Sequence, residues 1–150
     1  MDDMSEKTSG VTASLFPALG YRDARAAADW LERAFGFVRH AVHDGPDGGV
    51  AHAEMRFGNG MVMLSSVQDT PFGRLMKQPD EIGGCETQSA YLIVDDADAV
   101  YAIAKAAGAK IELDIKDEDY GGRGFSCRDL EGHLWNFGTY DPWQTPEPHA

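Results

Sequence analysis

Residues 119–143, DYGGRGFSCRDLEGHLWNFGTYDPW, carry the pattern that decides the fold of this chain. Apolar side chains recur at alternate positions on both sides of a polar turn at Glu131-Gly132. Such alternation is typical of strands that bury one face, and glycine favours a tight turn between them. The stretch therefore predicts a β-hairpin, and its alternating apolar positions are Phe125, Cys127, Trp135 and Phe137.

The same order of elements occurs twice in the 150 residues. Each half reads as a strand, a helix and three further strands, and Asp23 and Asp96 stand where each helix would be capped. These aspartates are 73 positions apart, and Gly60 and Gly132 of the two hairpin turns are 72 apart. We therefore predict a duplicated βαβββ module in a single α+β domain. The predicted bounds are 14–143 for the domain, 14–67 and 89–143 for the modules, 68–88 for the connector, and 1–11 and 144–150 for disordered ends.

Composition narrows the class of function. The formal net charge is −12, which argues against nucleic acid as a partner because phosphate binding needs a basic face. The acidic excess is compatible with a cationic ligand or simply with solubility. No apolar run approaches the ~20 residues of a membrane helix, and we expect a cytoplasmic protein without a membrane partner. Cys85 and Cys127 form no CxxC motif, so we expect reduced thiols.

A row of polar residues occupies the predicted strand 50–57, VAHAEMRF. Alternation places His52, Glu54 and Arg56 on one face of that strand. The row either faces a ligand cavity or a dimer interface, or is exposed to solvent. A histidine beside a carboxylate can act as a general acid or base. His40 and His43 are three apart in a predicted strand and are expected on opposite faces.

Aromatic residues supply a second set of candidates. Phe16, Tyr91, Tyr120 and Trp135 fall on predicted strands or on loops beside them. In an acidic protein, such rings can hold a flat or cationic organic ligand by stacking and cation–π contact. The alternative is that they fill the core, and for Trp135 the pattern favours core packing. The lone His133 is likewise more typical of a packed residue than of a metal ligand.

Three stretches together resemble the vicinal oxygen chelate superfamily, which includes glyoxalases, extradiol dioxygenases and bleomycin-resistance proteins. They are YRDARAAADWLERAFGF, YLIVDDADAVYAIAKAAGAKI and the opening stretch, which is similar to the DPxGxxW-type hairpin of that superfamily but has Leu130 where proline is usual. The chain looks most similar to the bleomycin-resistance or glyoxalase-like members. The resemblance implies paired βαβββ modules whose curved, open, barrel-like sheets enclose a cavity, and a homodimer.

The resemblance also implies where a metal ion would be held. Metal-dependent members use His, Glu or Gln, and those positions fall at or near Phe16, Leu64, Ser89 and Asn136. Phenylalanine and leucine offer no donor atom, and the other two are weak neutral donors. A shift of one residue at any position restores no His/Glu set. We therefore expect neither a metal nor another cofactor.

Two functions remain open from the sequence. The first is a metal-independent protein that sequesters a small organic ligand through His52, Glu54, Arg56, Phe16, Tyr91, Tyr120, Trp135 and Asn136. The second is a metal-dependent lyase or dioxygenase of the same superfamily, with a non-standard site around His52 and Glu54. Two ligands on one strand make a poor metal cage, which favours the first.

Overall fold

A computed structural model describes residues 13–144. The chain divides into two compact units, residues 1–78 and 79–150, and the division falls inside the predicted connector 68–88. That connector contains two short 3-10 turns, Gly73–Leu75 and Pro79–Ile82. The predictions of disorder for 1–11 and 145–150 lie outside the described residues, whereas Gln144 ends a 3-10 turn.

The first unit is a four-stranded sheet with one helix. The strands pair in the order β1-β4-β3-β2, with β1 parallel to β4 and the other neighbours antiparallel. Parallel pairing of β1 and β4 follows from the crossover through the helix, which returns the chain in the same direction. The elements are β1 (Ala18–Tyr21), α1 (Ala24–Phe35), β2 (Val38–Asp44), β3 (Val50–Phe57) and β4 (Gly60–Ser66).

The second unit repeats this arrangement, with the strand order β5-β8-β7-β6. Again the first and last strands are parallel and the other pairs antiparallel. The predicted α+β class, the duplication and the two open sheets are confirmed. The elements are β5 (Ala90–Ile93), α2 (Ala97–Ala106), β6 (Lys110–Asp117), β7 (Arg123–Arg128) and β8 (Leu134–Gly138).

The core of each unit lies between its helix and one face of its sheet. In the first unit, Trp30 and Leu31 of α1 are buried together with Ala53, Met55 and Leu64 of the sheet. In the second, the Phe125 ring lies edge-on to Tyr101 of α2 and stacked on Phe137. The alternation that predicted the hairpin therefore marks its helix-facing side. No helix among residues 13–144 is long and apolar enough to cross a membrane.

The first strand begins four residues after residue 14, where the first module was predicted to start. It begins at Ala18, because Pro17 has no N–H to donate to a ladder and only its carbonyl is bonded, by the Met63 N–H. Phe16 therefore precedes the sheet rather than belonging to it. His133 similarly precedes β8.

Each edge strand that follows a helix contains a one-residue β-bulge at the same place. In β2, Arg39 pairs with Met55 and Ala41 with the next residue, Glu54, which leaves His40 unpaired in the register. In β6, Ile111 and Leu113 pair with consecutive residues of β7 and leave Glu112 unpaired. A bulge inserts one residue and re-aims the side chains around it. His40 and Glu112 are 72 positions apart, so the duplication extends to this irregularity.

The two helix caps give a test of the duplicated fold. The Asp23 carboxylate accepts from the Ala26 N–H at 3.0 Å, and the Asp96 carboxylate accepts from the Ala99 N–H at 3.1 Å. We expect Asp23→Ala and Asp96→Ala each to lower the free energy of unfolding by about 1 kcal/mol. Urea denaturation measures this loss. The matched Asn variants keep a capping oxygen and should therefore retain most of the stability of the original protein. Equal losses for the Asn and Ala variants would contradict the capping role.

The two thiols should differ sharply in reactivity. Cys85 is exposed, whereas Cys127 is buried in β7, where desolvation raises the pKa of its thiol to about 12. At pH 8 we expect the native protein to react rapidly with one equivalent of a disulfide reagent and with a second only after denaturation. A Cys85→Ser variant should then show no fast reaction. Fast modification of both thiols in the native protein would contradict the buried position of Cys127.

Candidate ligand-binding site

The predicted site residues fall into two sets, one in each unit. Phe16, His52, Glu54 and Arg56 lie in the first unit, and Tyr91, Tyr120, Trp135 and Asn136 lie in the second.

In the first unit, the polar row of β3 is arranged as alternation predicts. Ala53 and Met55 are buried, while His52 and Glu54 are half-buried and Arg56 is exposed. The His52 imidazole lies 2.9 Å from the Glu54 carboxylate, between Nε2 and Oε2. This pair is the shortest polar contact of the row.

Strand β2 adds two more imidazoles to this face. His40 Nε2 lies 3.8 Å from Glu54 Oε1, and the His43 ring stacks on His52 with centroids 6.1 Å apart. The prediction that His40 and His43 point to opposite faces is therefore wrong. The bulge at His40 shifts the alternation of β2 by one residue, so both side chains reach the Glu54 face. We call His40, His43, His52 and Glu54 the histidine cluster.

Electrostatics keep the centre of this cluster ionised. The hydrogen bond with His52 lowers the pKa of Glu54 most, and the nearby His40 and His43 imidazoles lower that pKa further. The ionised carboxylate accepts, so the His52 Nε2–H donates. Arg56 forms no hydrogen bond or ion pair with any residue between 13 and 144. No sequence signal reveals the contributions of His40 and His43, because they depend on the bulge.

Phe16, the other candidate of the first unit, is 41% exposed and lies outside any strand. The carbonyl of the next residue, Pro17, accepts from the Met63 N–H of β4 at 2.9 Å, so this segment runs beside the sheet edge. It therefore offers an exposed ring, but no hydrogen bond links it to the histidine cluster.

In the second unit, Asn136 is the centre of a hydrogen-bond network across three strands or their ends. Its Nδ2 donates to Ser89 Oγ at 2.9 Å and to the Ala90 carbonyl at 3.0 Å. Its Oδ1 accepts from Ser126 Oγ at 2.6 Å. The amide is thus engaged through both ends, and it links β8 to β7 and to the start of β5.

These contacts bear on the metal ion implied by the resemblance. Leu64 is buried and pairs with Ala53 on the helix-facing side, so it is not the counterpart of Asn136. That counterpart is Met63, which pairs with Glu54 as Asn136 pairs with Ser126. Neither Met63 nor a hydrogen-bonded Asn136 suits a hard divalent ion. Among residues 13–144, no three His, Cys, Asp or Glu side chains form a group that could hold a metal. The residues present do not fit such a site.

Three tyrosines form the other polar and aromatic group of the second unit. The Tyr91 hydroxyl donates to the Tyr140 carbonyl at 2.7 Å, and the Tyr120 and Tyr140 rings meet edge to face with centroids 5.3 Å apart. Any larger residue at position 138 would displace the Tyr91 ring, because a Cβ atom there would lie 2.5 Å from the Tyr91 hydroxyl oxygen. We call Tyr91, Tyr120 and Tyr140 the tyrosine cluster. Sequence reasoning missed Tyr140, although it follows the hairpin directly.

Acidic residues surround the tyrosine cluster. Burial raises the pKa of Tyr91 most, and the Asp141 carboxylate also raises it. The pKa of Tyr120 is raised by burial and then by the Glu118 and Asp119 carboxylates. The Tyr91 and Tyr120 phenols therefore stay neutral near pH 7, and the nearby carboxylates favour a cation beside them.

Trp135 and His133 serve the packing of the hairpin. Trp135 is 1% exposed, and its indole N–H donates to the Asp129 carboxylate at 2.9 Å. The His133 ring is buried and lies 3.1 Å from the Glu86 carboxylate, which also accepts from the Leu134 N–H. Both positions match the packing alternative, and Trp135 presents no surface to a ligand.

Comparisons with known proteins place this fold in a family. Uncharacterized protein Mb0911c of Mycobacterium bovis is 33% identical over 128 residues, covering 85% of this chain and 84% of that protein. TioX from Micromonospora sp. ML1 matches with a TM-score of 0.65 and 30% identity, over 84% of this chain and 97% of TioX.

A mutant of the fosfomycin resistance protein FosX from Listeria monocytogenes, whose structure contains Mn(II) and dihydroxypropylphosphonic acid, shares the fold at 12% identity. Its TM-score is 0.63, over 89% of this chain and 94% of FosX. Residues 15–137 match the model of one family. The chain belongs to the Glyoxalase/Bleomycin resistance protein/Dioxygenase superfamily.

Proposed function

We propose that this protein binds and sequesters a small, cationic organic molecule without a metal ion. The observation that carries the proposal is the tyrosine cluster within an acidic unit. Residues 79–144 contain fourteen Asp and Glu but five Lys and Arg, whereas residues 13–78 contain seven of each. Most of the net negative charge of the chain therefore lies in the unit that contains the tyrosines.

The contacts of the cluster suit such a ligand. Tyr120 is 60% exposed and held edge-on to Tyr140, so one ring face can accept a cation or a flat aromatic group. A cation over an aromatic face contributes about 0.5–2 kcal/mol, with more when water is excluded. Glu118, Asp119 and Asp141 add long-range attraction that salt would weaken.

The turn before β7 keeps this ring in place. The Glu118 N–H donates to the Gly122 carbonyl at 2.8 Å, and the Gly121 N–H donates to the Glu118 carbonyl at 3.1 Å. At Gly122 φ is +78°, and a Cβ there would lie 2.7 Å from the Tyr140 nitrogen, so glycine permits the close approach. A preformed binding group loses less entropy when the ligand binds.

Binding rather than catalysis is favoured by the state of Asn136. Its amide is used by Ser89, Ala90 and Ser126, so the position where the family resemblance implies a metal ligand cross-links strands instead. A ligand held beside it would meet neutral hydrogen-bonding groups. We also propose, from the family resemblance, that the protein is a homodimer.

One observation favours an enzymatic alternative. The His52–Glu54 pair, at 2.9 Å, is an oriented acid–base couple of the kind that transfers protons. A metal-dependent lyase or dioxygenase built around it would need further ligands, and none of the described residues completes such a group. The couple therefore supports proton transfer better than metal catalysis.

Titration with cationic ligands tests the proposal. We expect bleomycin, a cationic glycopeptide, or the smaller aromatic cation ethidium to bind near one molecule per chain, with affinity unchanged by EDTA. Tyr120→Ala should weaken binding about 2- to 30-fold because it removes one cation–π contact. Isothermal titration calorimetry measures the stoichiometry and the affinity, and titrations at low and high salt measure the contribution of the carboxylates.

The controls separate the ring from general damage to the surface. Tyr120→Phe keeps the aromatic face and should bind nearly as well as the original protein. Leu75→Ala changes a side chain that is 80% exposed in the other unit and should have no effect. Absence of saturable binding to both probes, or binding that EDTA abolishes, would refute the proposal.

A further inference from the structure

The first unit carries a second group of charged and titratable side chains, apart from the tyrosine cluster. All three histidines between residues 13 and 78 belong to the histidine cluster, and Arg56 lies two residues from Glu54 on the same strand face. We propose that the histidine cluster and Arg56 form an oxyanion site that takes a carboxylate or phosphate group and binds it more tightly as the pH falls.

Arg56 is the anchor of this site. Its side chain is exposed and makes no hydrogen bond or ion pair within the described part of the chain. By contrast, Arg25, Arg39 and Arg74 of the same unit are each paired with an aspartate. A guanidinium presents two parallel N–H donors that match the oxygens of a carboxylate or phosphate. Arg56 therefore retains its donors for a ligand.

The only titratable side chains that the strands beside β3 add to this face are imidazoles. From β2 come His40 and His43, since Asp44 of that strand is paired with Arg25. From β4, the residues opposite Glu54 and Arg56 are Met63 and Met61, which carry no charge. Helix α1 packs on the other face, where Asp29 and Glu32 bind Arg39. Within the described part of the first unit, Glu54 is thus the sole carboxylate on this face of the sheet.

The charge of the site depends on pH in a defined direction. With neutral imidazoles, Arg56 and Glu54 cancel, and an anion gains little. Imidazoles ordinarily gain a proton near pH 6.5, and each proton adds one positive charge. Glu54 stays ionised through this range because its pKa is lowered by His52 and then by the other two imidazoles. Each imidazole that gains a proton therefore makes the site more positive as the pH falls.

Protonation of the histidine cluster would change the charge of a surface in an otherwise acidic protein. Residues 79–144 stay strongly acidic over the same range, so protonation creates a local positive surface in the first unit of an acidic protein. Anionic ligands would thus bind to the first unit and cationic ligands to the second. The oxyanion site does not depend on the function proposed for the tyrosine cluster.

An anion titration followed by NMR tests the site. The probes are sulfate, which keeps its charge from pH 5.5 to 8, and benzoate, which represents the carboxylate class, both at constant ionic strength with chloride. Binding is read from the Cε1–H resonances of the histidines. We expect the dissociation constant for at least one probe to fall by about tenfold or more from pH 8 to 5.5.

Substitutions make the assignment specific. Arg56→Gln should weaken binding at pH 5.5 about tenfold, whereas Arg33→Gln, an equal loss of charge on the exposed side of α1, should leave it nearly unchanged. Glu54→Gln should strengthen binding at pH 8, because it removes the single negative charge of the site. Damage to the fold would weaken anion binding, so a gain in affinity cannot be explained by such damage.

The outcomes separate this proposal from the one on the tyrosine cluster. Tyr120→Ala should leave anion binding intact, and Arg56→Gln should leave binding of cationic aromatic ligands intact. Binding independent of pH, equal effects of Arg33→Gln and Arg56→Gln, or no gain with Glu54→Gln would each overturn the oxyanion site.

Discussion

Strands paired in a fixed register, with side chains alternating between two faces, place the functional side chains of this chain. On β3, Ala53 and Met55 are buried under α1, so His52, Glu54 and Arg56 must lie on the other face. On β8, burial of Trp135 and Phe137 places Asn136 opposite Ser126. A shift of one residue in either strand would bury polar groups and expose the core, which is why the register is firmly set. The chemistry of both units depends on this constraint.

Much of the fold could be predicted because it rests on local, periodic signals. The alternation of the last hairpin, the capping aspartates at Asp23 and Asp96, and their near-equal spacing to matching glycines predict two βαβββ modules. The polar row of β3 follows from the same two-residue period. The start of β1 is not visible in this pattern, since a proline near a strand end terminates the ladder without breaking the apolar pattern.

The bulge of β2 could not be predicted in this way, and it changes the site most. An inserted residue leaves no compositional trace, because His40 fits a strand as well as its neighbours do. Only the pairing with β3 shows that Arg39 binds α1 while His40 and His43 reach Glu54. The residue at the matching bulge, Glu112, also contacts the neighbouring strand, since Arg128 donates to Glu112 at 2.7 Å, but Arg128 is the counterpart of Arg56 rather than of Glu54. Both units thus contain a β-bulge that turns a residue of the edge strand toward the polar face, but the side chain at the bulge differs between the units.

The two units have used a common framework for different chemistry. Residues 13–78 of the first unit carry equal numbers of acidic and basic side chains and gather their histidines around one carboxylate. The second unit is acidic and gathers tyrosines beside a neutral network. Central to this account is that Asn136 is a cross-link between strands and not a metal ligand. Crystals soaked in Mn(II) or Zn(II) and examined by anomalous scattering test it most directly. The account predicts no anomalous peak within coordinating distance of Asn136 Oδ1, with its bonds to Ser89 and Ser126 intact; a full-occupancy metal there would contradict it.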